Sequence, residues 1–392
     1  MADNKQASHS SKESYRRRNQ SIEMASQTGM AGMWRGPSNV PEYKADRPWS
    51  VYIGGGVYLN DSNNLIDAFL EVSEASEELE QSASSNPLGF VTADVEPLIA
   101  TLEELDGKVL TTSSSAVQAI PIQPIAGYEL AIVNSISLRV AASFDYEPEE
   151  ADRLRLAMIS AGSPTDNLES EILATGVIVA DTGLNIARDY HGLFGTSRVG
   201  ITLKYQSIRL FERGVQLDDY EEEKLVDRHR DIKKHELINA DIGLSHYWRK
   251  GVQTHVTINN INGRNYSGDR GGRYHHSPGV KVGTAYTKDK TMMMIEADAT
   301  STQSAFGLLR DEQRIRLAGA YQLNDQFGLG AGYQHVMEGR DDHAITLGAN
   351  WQAFSWLKLQ SGLIYSGTRE IGGGLSAEVR LENLYNKIRN KD

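Results

Sequence analysis

The sequence predicts an all-β chain: an antiparallel, membrane-spanning barrel of about 14 strands with helical insertions near its N-terminal part. Three observations carry the strand assignment. In "EQRIRLAGAYQLNDQFGLGAGYQHV" (312–336), Ile315, Leu317, Gly319, Tyr321 and Leu323 alternate with Arg314, Arg316, Ala318, Ala320 and Gln322. After the turn Asn324-Asp325, Phe327, Leu329, Ala331 and Tyr333 alternate with Gly328, Gly330, Gly332 and Gln334. Strict alternation is the mark of a strand with two unlike faces. Similar stretches recur along most of the chain. Composition agrees, with 36 Gly against 10 Pro and 17 Tyr against 8 Phe in 392 residues, a mix that suits strands and tight turns.

Taken in order, residues 1–46 are polar and predicted to be largely disordered. The barrel is expected over 47–385, and 386–392 form a C-terminal tail. The first strand is placed at 48–58, "PWSVYIGGGVY", whose glycines permit bending or close backbone approach. Residues 61–107 hold 12 Asp/Glu and no Lys or Arg. Leu65, Phe69, Val72 and Leu79 stand at helical spacing there. "DVEPLIATLEELDGK" reads as a second helix, with Pro97 in its first turn and Gly107 just past its end. A short third helix is expected at 148–160, with acids in its first turn matching the helix dipole. Further strands are expected near 108–123, 128–144, 170–180, 182–191, 198–212, 234–248, 252–261, 278–287, 290–301, 312–323, 326–337, 342–353, 356–366 and 371–382. From 278 onward they form hairpins, and closure is the usual way such a meander removes its edges.

Periodicity alone leaves two environments open for the apolar face: lipid, or a soluble β core. Arg, Gln, Gly, Ala and Ser on the opposite face make a poor core and a usable lumen. Tyr247, Trp248, Tyr286, Tyr321, Tyr333, Trp351, Trp356 and Tyr365 fall near strand ends, as interfacial girdles do. Trp248, Trp351 and Trp356 are the structural girdle candidates. The bland alternative is that they are ordinary sheet residues.

Several classes of function are disfavoured. A net charge of −12 speaks against broad nucleic-acid binding, and the absence of cysteine removes thiol chemistry and thiolate metal sites. No run of 18 apolar residues exists, so no membrane-spanning helix is expected. Arg16, Arg17 and Arg18 precede no apolar core, so no signal peptide is read in this sequence and an outer-membrane location is conditional on one. Asp181-Thr182-Gly183 is the tripeptide of aspartic proteases, but it occurs once and reads as a turn between strands. His275-His276 lies in a Gly-rich stretch, "NNINGRNYSGDRGGRYHHSPG", with no third metal ligand at helpful spacing, and reads as an exposed loop at a barrel mouth. Nothing aligns a Ser-His pair for a phospholipase. "DDYEEEKLVDRHRDIKKHE" (218–236) is read as a solvated loop, or as a docking loop for another envelope protein. The acidic helices are read as a solvated hairpin, or as a plug or cap for a basic partner or cations. No catalytic residue, cofactor or metal site is assigned.

The chain resembles the outer-membrane β-barrel family called conjugal transfer protein TraF, related in architecture to the FadL-type long-chain fatty-acid transporters. The resemblance covers roughly residues 25–382. It rests on "GVYLNDSNNLIDAFLEV", "VADTGLNIARDYHG", "RVGITLKYQSIRLFERGVQLDDYEEE", "NADIGLSHYW", "VTINNI", "PGVKVGTAYT" before "MMMIEADATS", and "RLAGAYQ…FGLGAGYQHV". The thioredoxin-like F-plasmid protein of the same name is a different molecule, whose chemistry a chain without cysteine cannot perform. The resemblance implies a non-enzymatic outer-membrane barrel of a Gram-negative bacterium, with a role in envelope transport or assembly that supports conjugative transfer. Its partners would be outer-membrane lipid and other envelope or conjugation proteins. Outer-membrane barrels usually close on a terminal aromatic strand; here Tyr385 is followed by "NKIRNKD". The alternatives are a passive transporter of hydrophobic small molecules, which inward Arg314 and Arg316 disfavour, and a soluble β-rich interaction protein.

Overall fold

The computed structural model describes residues 50–61, 64–84, 95–160, 170–216, 232–248, 251–268, 272–303, 311–338, 343–367, 370–381 and 383. The strands are β1 (Ser50–Asn60), β2 (Val109–Ile125), β3 (Tyr128–Asp145), β4 (Glu171–Gly192), β5 (Gly195–Gln216), β6 (Ile232–Trp248) and β7 (Val252–Asn259). They continue with β8 (Arg264–Ser267), β9 (Arg273–His276), β10 (Gly279–Lys288), β11 (Thr291–Asp298), β12 (Thr302–Gln303) and β13 (Asp311–Gln322). The last are β14 (Phe327–Glu338), β15 (Ala344–Phe354), β16 (Leu357–Ser366) and β17 (Glu370–Arg380). Every pairing is antiparallel. β1 pairs with both β2 and β17, and β11 pairs with β13, so 14 strands form a closed barrel. β8 and β9 form a separate hairpin, and β12 adds only a short pairing to β13.

The two stretches expected at 170–180 and 182–191 are one strand, β4. Asp181-Thr182-Gly183 is therefore mid-strand and not a turn, with Asp181 opposite Ser135 on one side and Gln206 on the other. The correction has a simple cause. Both neighbouring ladders run unbroken through this point, and a residue without Cβ continues a strand when flanking strands fix its backbone.

The pleat sorts side chains as the alternation demands. On β13, Arg316, Ala318 and Ala320 are buried, whereas Leu317 and Tyr321 are exposed. The same inversion runs round the wall. Ile53, Val57, Ile136, Leu203, Ile238, Ile242, Met293, Leu329, Leu347, Leu363 and Leu375 are exposed. Thr202, Lys204, Gln206, Asn239, Asp241, His255, Lys281, Glu296, Asn350, Lys358 and Glu370 are buried. A soluble sheet hides its apolar face, so this arrangement is that of a barrel standing in lipid around a polar interior. No described helix is long and apolar enough to cross a membrane.

The two ends of the barrel differ. At one end strands are joined by tight turns: Ala126-Gly127, Leu193-Phe194, Asp289-Lys290 and Ser355-Trp356. Ala126 and Gly127 have φ of 54° and 80°, the left-handed pair that matches strand twist in a two-residue hairpin. The opposite end carries the long connections. Helix α1 (Leu65–Ser84) and helix α2 (Glu96–Leu105) join β1 to β2, and α3 (Glu149–Ser160) joins β3 to β4. Asp61 starts α1 by accepting the backbone N–H of Leu65 at 2.7 Å and of Ile66 at 3.2 Å, satisfying donors that the helix cannot. Gly107, φ +67°, ends the turn after α2 and donates its N–H to the Phe144 carbonyl at 3.1 Å. Leu65, Ala68 and Val72 pack with Leu98, Ile99, Leu102, Leu105, Phe144 and Leu154 as a small apolar core on the rim. Of the expected helical stripe, Phe69 and Leu79 have side chains outside the described set. Arg155 of α3 grips Glu96 of α2 at 2.7 and 2.9 Å, which holds the Glu96 carboxyl below the usual carboxylate range. Residues 1–46, 386–392 and most of the charged run at 218–236 also lie outside the described residues; Ile232 to Glu236 already belong to β6.

Candidate functional site in the lumen

β4 and β5 are 22 residues long, while β7 has 8. The wall therefore steps down between β6 and β7. At that step the chain turns into the barrel, and the β8–β9 hairpin packs on the inner faces of β4, β5 and β6. The exposed mouth loop expected at 259–279 is thus an inward-folded hairpin. Tyr274 is buried against Val177, Ile208, Leu210 and Leu237. These apolar side chains point inward from strands whose remaining inner face is polar, and the hairpin is what shields them from water.

"NNING" (259–263) pins the hairpin at its base. Asn260 donates its backbone N–H to Asp241 at 2.7 Å, and Asn262 donates its own to Asn239 Oδ1 at 2.8 Å. The Asn262 amide donates to the Ile238 carbonyl at 3.0 Å. A short side chain that bonds the neighbouring backbone is why asparagine suits such a bend. Gly263 is the one residue with room here, since a Cβ would stand 2.7 Å from Pro278 and 2.9 Å from the His276 carbonyl.

Beneath the hairpin lies a connected polar cluster. Lys204 reaches Asp241 at 2.9 Å, Asp181 at 3.3 Å and Asn260 at 2.8 Å. Gln206 Nε2 donates to Asp181 at 2.9 Å, while its Oε1 accepts from Asn239 at 2.6 Å and lies 3.1 Å from His276 Nε2. Because that Oε1 can only accept, His276 carries its proton on Nε2, and Nδ1 accepts from the Tyr274 hydroxyl at 3.2 Å. Burial, with Lys204 nearby, pushes the His276 pKa down to about 4. Burial likewise pushes the Tyr274 hydroxyl up to about 12. Both are neutral at physiological pH. His275 points the other way, onto Asn265 at 2.7 Å, so the adjacent histidines form no metal pair.

Between hairpin and wall lies a cavity of about 220 Å³, lined by Ser113, Ser135, Ser137, Asp181, Lys204 and Tyr274 among others. At its edge Arg139 on β3 stands 3.8 Å from Glu312 on β13. Those strands are seven steps apart either way round the ring, so the pair bridges opposite walls. Two further ion clusters face inward. Arg316 pairs with Asp298 at 3.1 Å and Glu296 at 3.3 Å, and Glu296 also meets His255 at 3.2 Å. Arg198 meets Asp189 at 3.0 Å and Glu129 as well. The interior is thus polar and its charges are matched in pairs, and among these described residues no nucleophile, base and orienting group stand in line.

The aromatic candidates separate. Trp248 and Trp351 are exposed on the outer wall at the tight-turn end, with Tyr190, Tyr286, Tyr321, Phe327 and Phe354. Trp351 stacks on Phe327, ring centroids 6.0 Å apart and planes 4° from parallel. Trp356 is half-buried inside the β15–β16 turn and stacks on Phe354 at 5.3 Å. Tyr247 shares the inward parity of Ser245 and points to the lumen. The inward hairpin and the Arg139–Glu312 bridge were missed from sequence. The only sequence signal for either was the asparagine run.

A closed antiparallel barrel with an apolar outside and a polar, partly occluded lumen defines the class: a channel-type barrel of outer-membrane architecture. The family follows. Residues 37–340 match the family described as "F plasmid transfer operon, TraF, protein", and the chain belongs to it. Among solved structures, the TodX deltaS2S3 mutant, a monoaromatic hydrocarbon channel, aligns over 89% of this chain and 94% of its own at 9% identity and a TM-score of 0.50. The P. putida toluene transporter TodX aligns over 89% and 93% at 8% identity and 0.48. The first likeness shows a shared fold. No curated protein matches in sequence.

Proposed function

We propose that this protein is a passive outer-membrane channel whose lumen admits small polar solutes past the β8–β9 hairpin. The single observation that carries the reading is the inverted wall: apolar outward, while Lys204, Asp181, Gln206, Arg316, Glu296 and Arg198 face a common interior. Short turns lie on the periplasmic side of such barrels, so the helices and the hairpin belong to the outer face. Trp248 and Trp351 then serve as the periplasmic-side girdle, with lipid as the surrounding partner. A role in conjugative transfer is supported by the family description alone.

A second reading is passage of hydrophobic small molecules. The TodX likeness and the Val177, Ile208, Leu210 and Leu237 patch under Tyr274 favour it. The ion-paired remainder of the lumen opposes it, because an apolar passenger would strip water from charges and return no hydrogen bonds.

Proteoliposomes containing the refolded barrel decide between the two. Osmotic swelling with pentoses and amino acids, faster than in empty liposomes, is the expected result. Uptake of a monoaromatic hydrocarbon without any polar-solute flux would replace this reading with the second. Acceleration of neither would remove the channel assignment. Heat-dependent migration on an SDS gel confirms beforehand that the barrel is folded.

A further inference from the structure

We propose that His335 and His343 form a divalent transition-metal site on the outer wall at the long-connection end. β14 and β15 pair with Tyr333 opposite Ile345 and Gln334 opposite Ala344. The same register sets His335 directly opposite His343, where cross-strand side chains approach most closely. Both are exposed and share the outward parity of Tyr333. Their Nδ1 atoms are 3.2 Å apart, with ring centroids at 4.5 Å and planes 26° apart.

That separation is informative. Two imidazole nitrogens bound to one tetrahedral metal at ~2.0–2.1 Å stand roughly 3.3–3.4 Å apart along the edge of the tetrahedron. Two free imidazoles reach this distance only if one donates its Nδ1 proton to the other, and two imidazolium rings could not stay there. A divalent cation draws both lone pairs together and leaves both rings as Nε2–H tautomers. The scaffold is preorganised. The backbone of His343 is held by Ser366, whose Oγ donates to the His343 carbonyl at 2.6 Å, and the Tyr333 ring stands 6.1 Å from the His343 ring.

Among the described residues no group of three or more His, Cys, Asp or Glu side chains could hold a metal. The pair thus supplies two ligands to a four-coordinate ion, and no third is assigned among the described residues. Imidazole ligands favour Cu²⁺ over Ni²⁺ and Zn²⁺.

The test uses the full-length barrel in detergent, titrated with Cu²⁺ alone and with Zn²⁺ alone by calorimetry. Frozen samples with one equivalent of Cu²⁺ are then read by electron paramagnetic resonance. His335→Asn and His343→Asn are compared with His275→Asn, a change at a half-buried histidine of the β8–β9 hairpin, outside the clamp. Wild type and H275N should bind one more Cu²⁺ than either clamp variant and show coupling to two nitrogens. Removing one ligand should weaken binding by at least the ~10-fold that even an outer-shell change costs. Retained heat-modifiability shows that each variant folds. Equal stoichiometry and affinity in all four proteins, or no Cu²⁺ binding by wild type, would overturn the proposal. So would nitrogen coupling that survives in H335N and H343N, because the copper would then sit elsewhere.

Discussion

Acid should release the β8–β9 hairpin from the lumen. His276 is buried and neutral, its two ring nitrogens committed to Gln206 and Tyr274, with Lys204, Asp181 and Asp241 on the wall beneath. Its pKa in the docked state is about 4, against 6.5 when free. The docked pKa is the lower one, so the released state binds the proton more tightly. Docking is unaffected well above pH 6.5, weakens as the pH falls through 6.5, and has lost its full share below 4. The full difference is about 3 kcal/mol, of which ~1 is lost by pH 6 and ~2 by pH 5. Hydrogen exchange on the folded barrel measures this directly. After correction for intrinsic rates, protection of the amides at 260–268 and 272–277 should fall roughly 30-fold between pH 8 and pH 5, while the barrel strands stay protected. His276→Asn keeps a donor and an acceptor but cannot titrate, and should remove the dependence. Unchanged hairpin protection in wild type at pH 5, or the same slope in H276N, would refute the reasoning.

Two further outcomes test the fold. Leu317→Arg puts a charge on the outward face of β13, where Leu317 is 47% exposed, and should cost about 2–4 kcal/mol in refolding into lipid vesicles if that face meets the bilayer interior; a change near zero would indicate water there instead. Leu102→Ala empties the core of the rim helices, where Leu102 is 1% exposed, and should destabilise them by roughly 2–5 kcal/mol. The loss should appear as faster exchange at 96–105 with the barrel's heat-modifiability unchanged, and melting of the barrel itself would show that rim and wall unfold as one.

What the sequence determined by itself was everything that depends on neighbours two or four residues apart. Alternation identified the strands, assigned Arg316 and Ala318 inward and Leu317 and Tyr321 outward, and separated the acidic helices from the wall. The fifteen stretches picked out became fourteen barrel strands because 170–180 and 182–191 are one element. A glycine after a polar pair looks like a turn until flanking strands hold it straight. Closure of β1 on β17 joins positions more than 300 residues apart, and no local period records such a pairing. The inward hairpin depends on the height difference between β6 and β7, and strand height is a property of the assembled ring. The His335–His343 clamp depends on register, which a one-residue slip would abolish by sending the two rings to opposite faces. Local chemistry decided which face each residue prefers; only the closed ring decided which residues share the interior and which histidines meet.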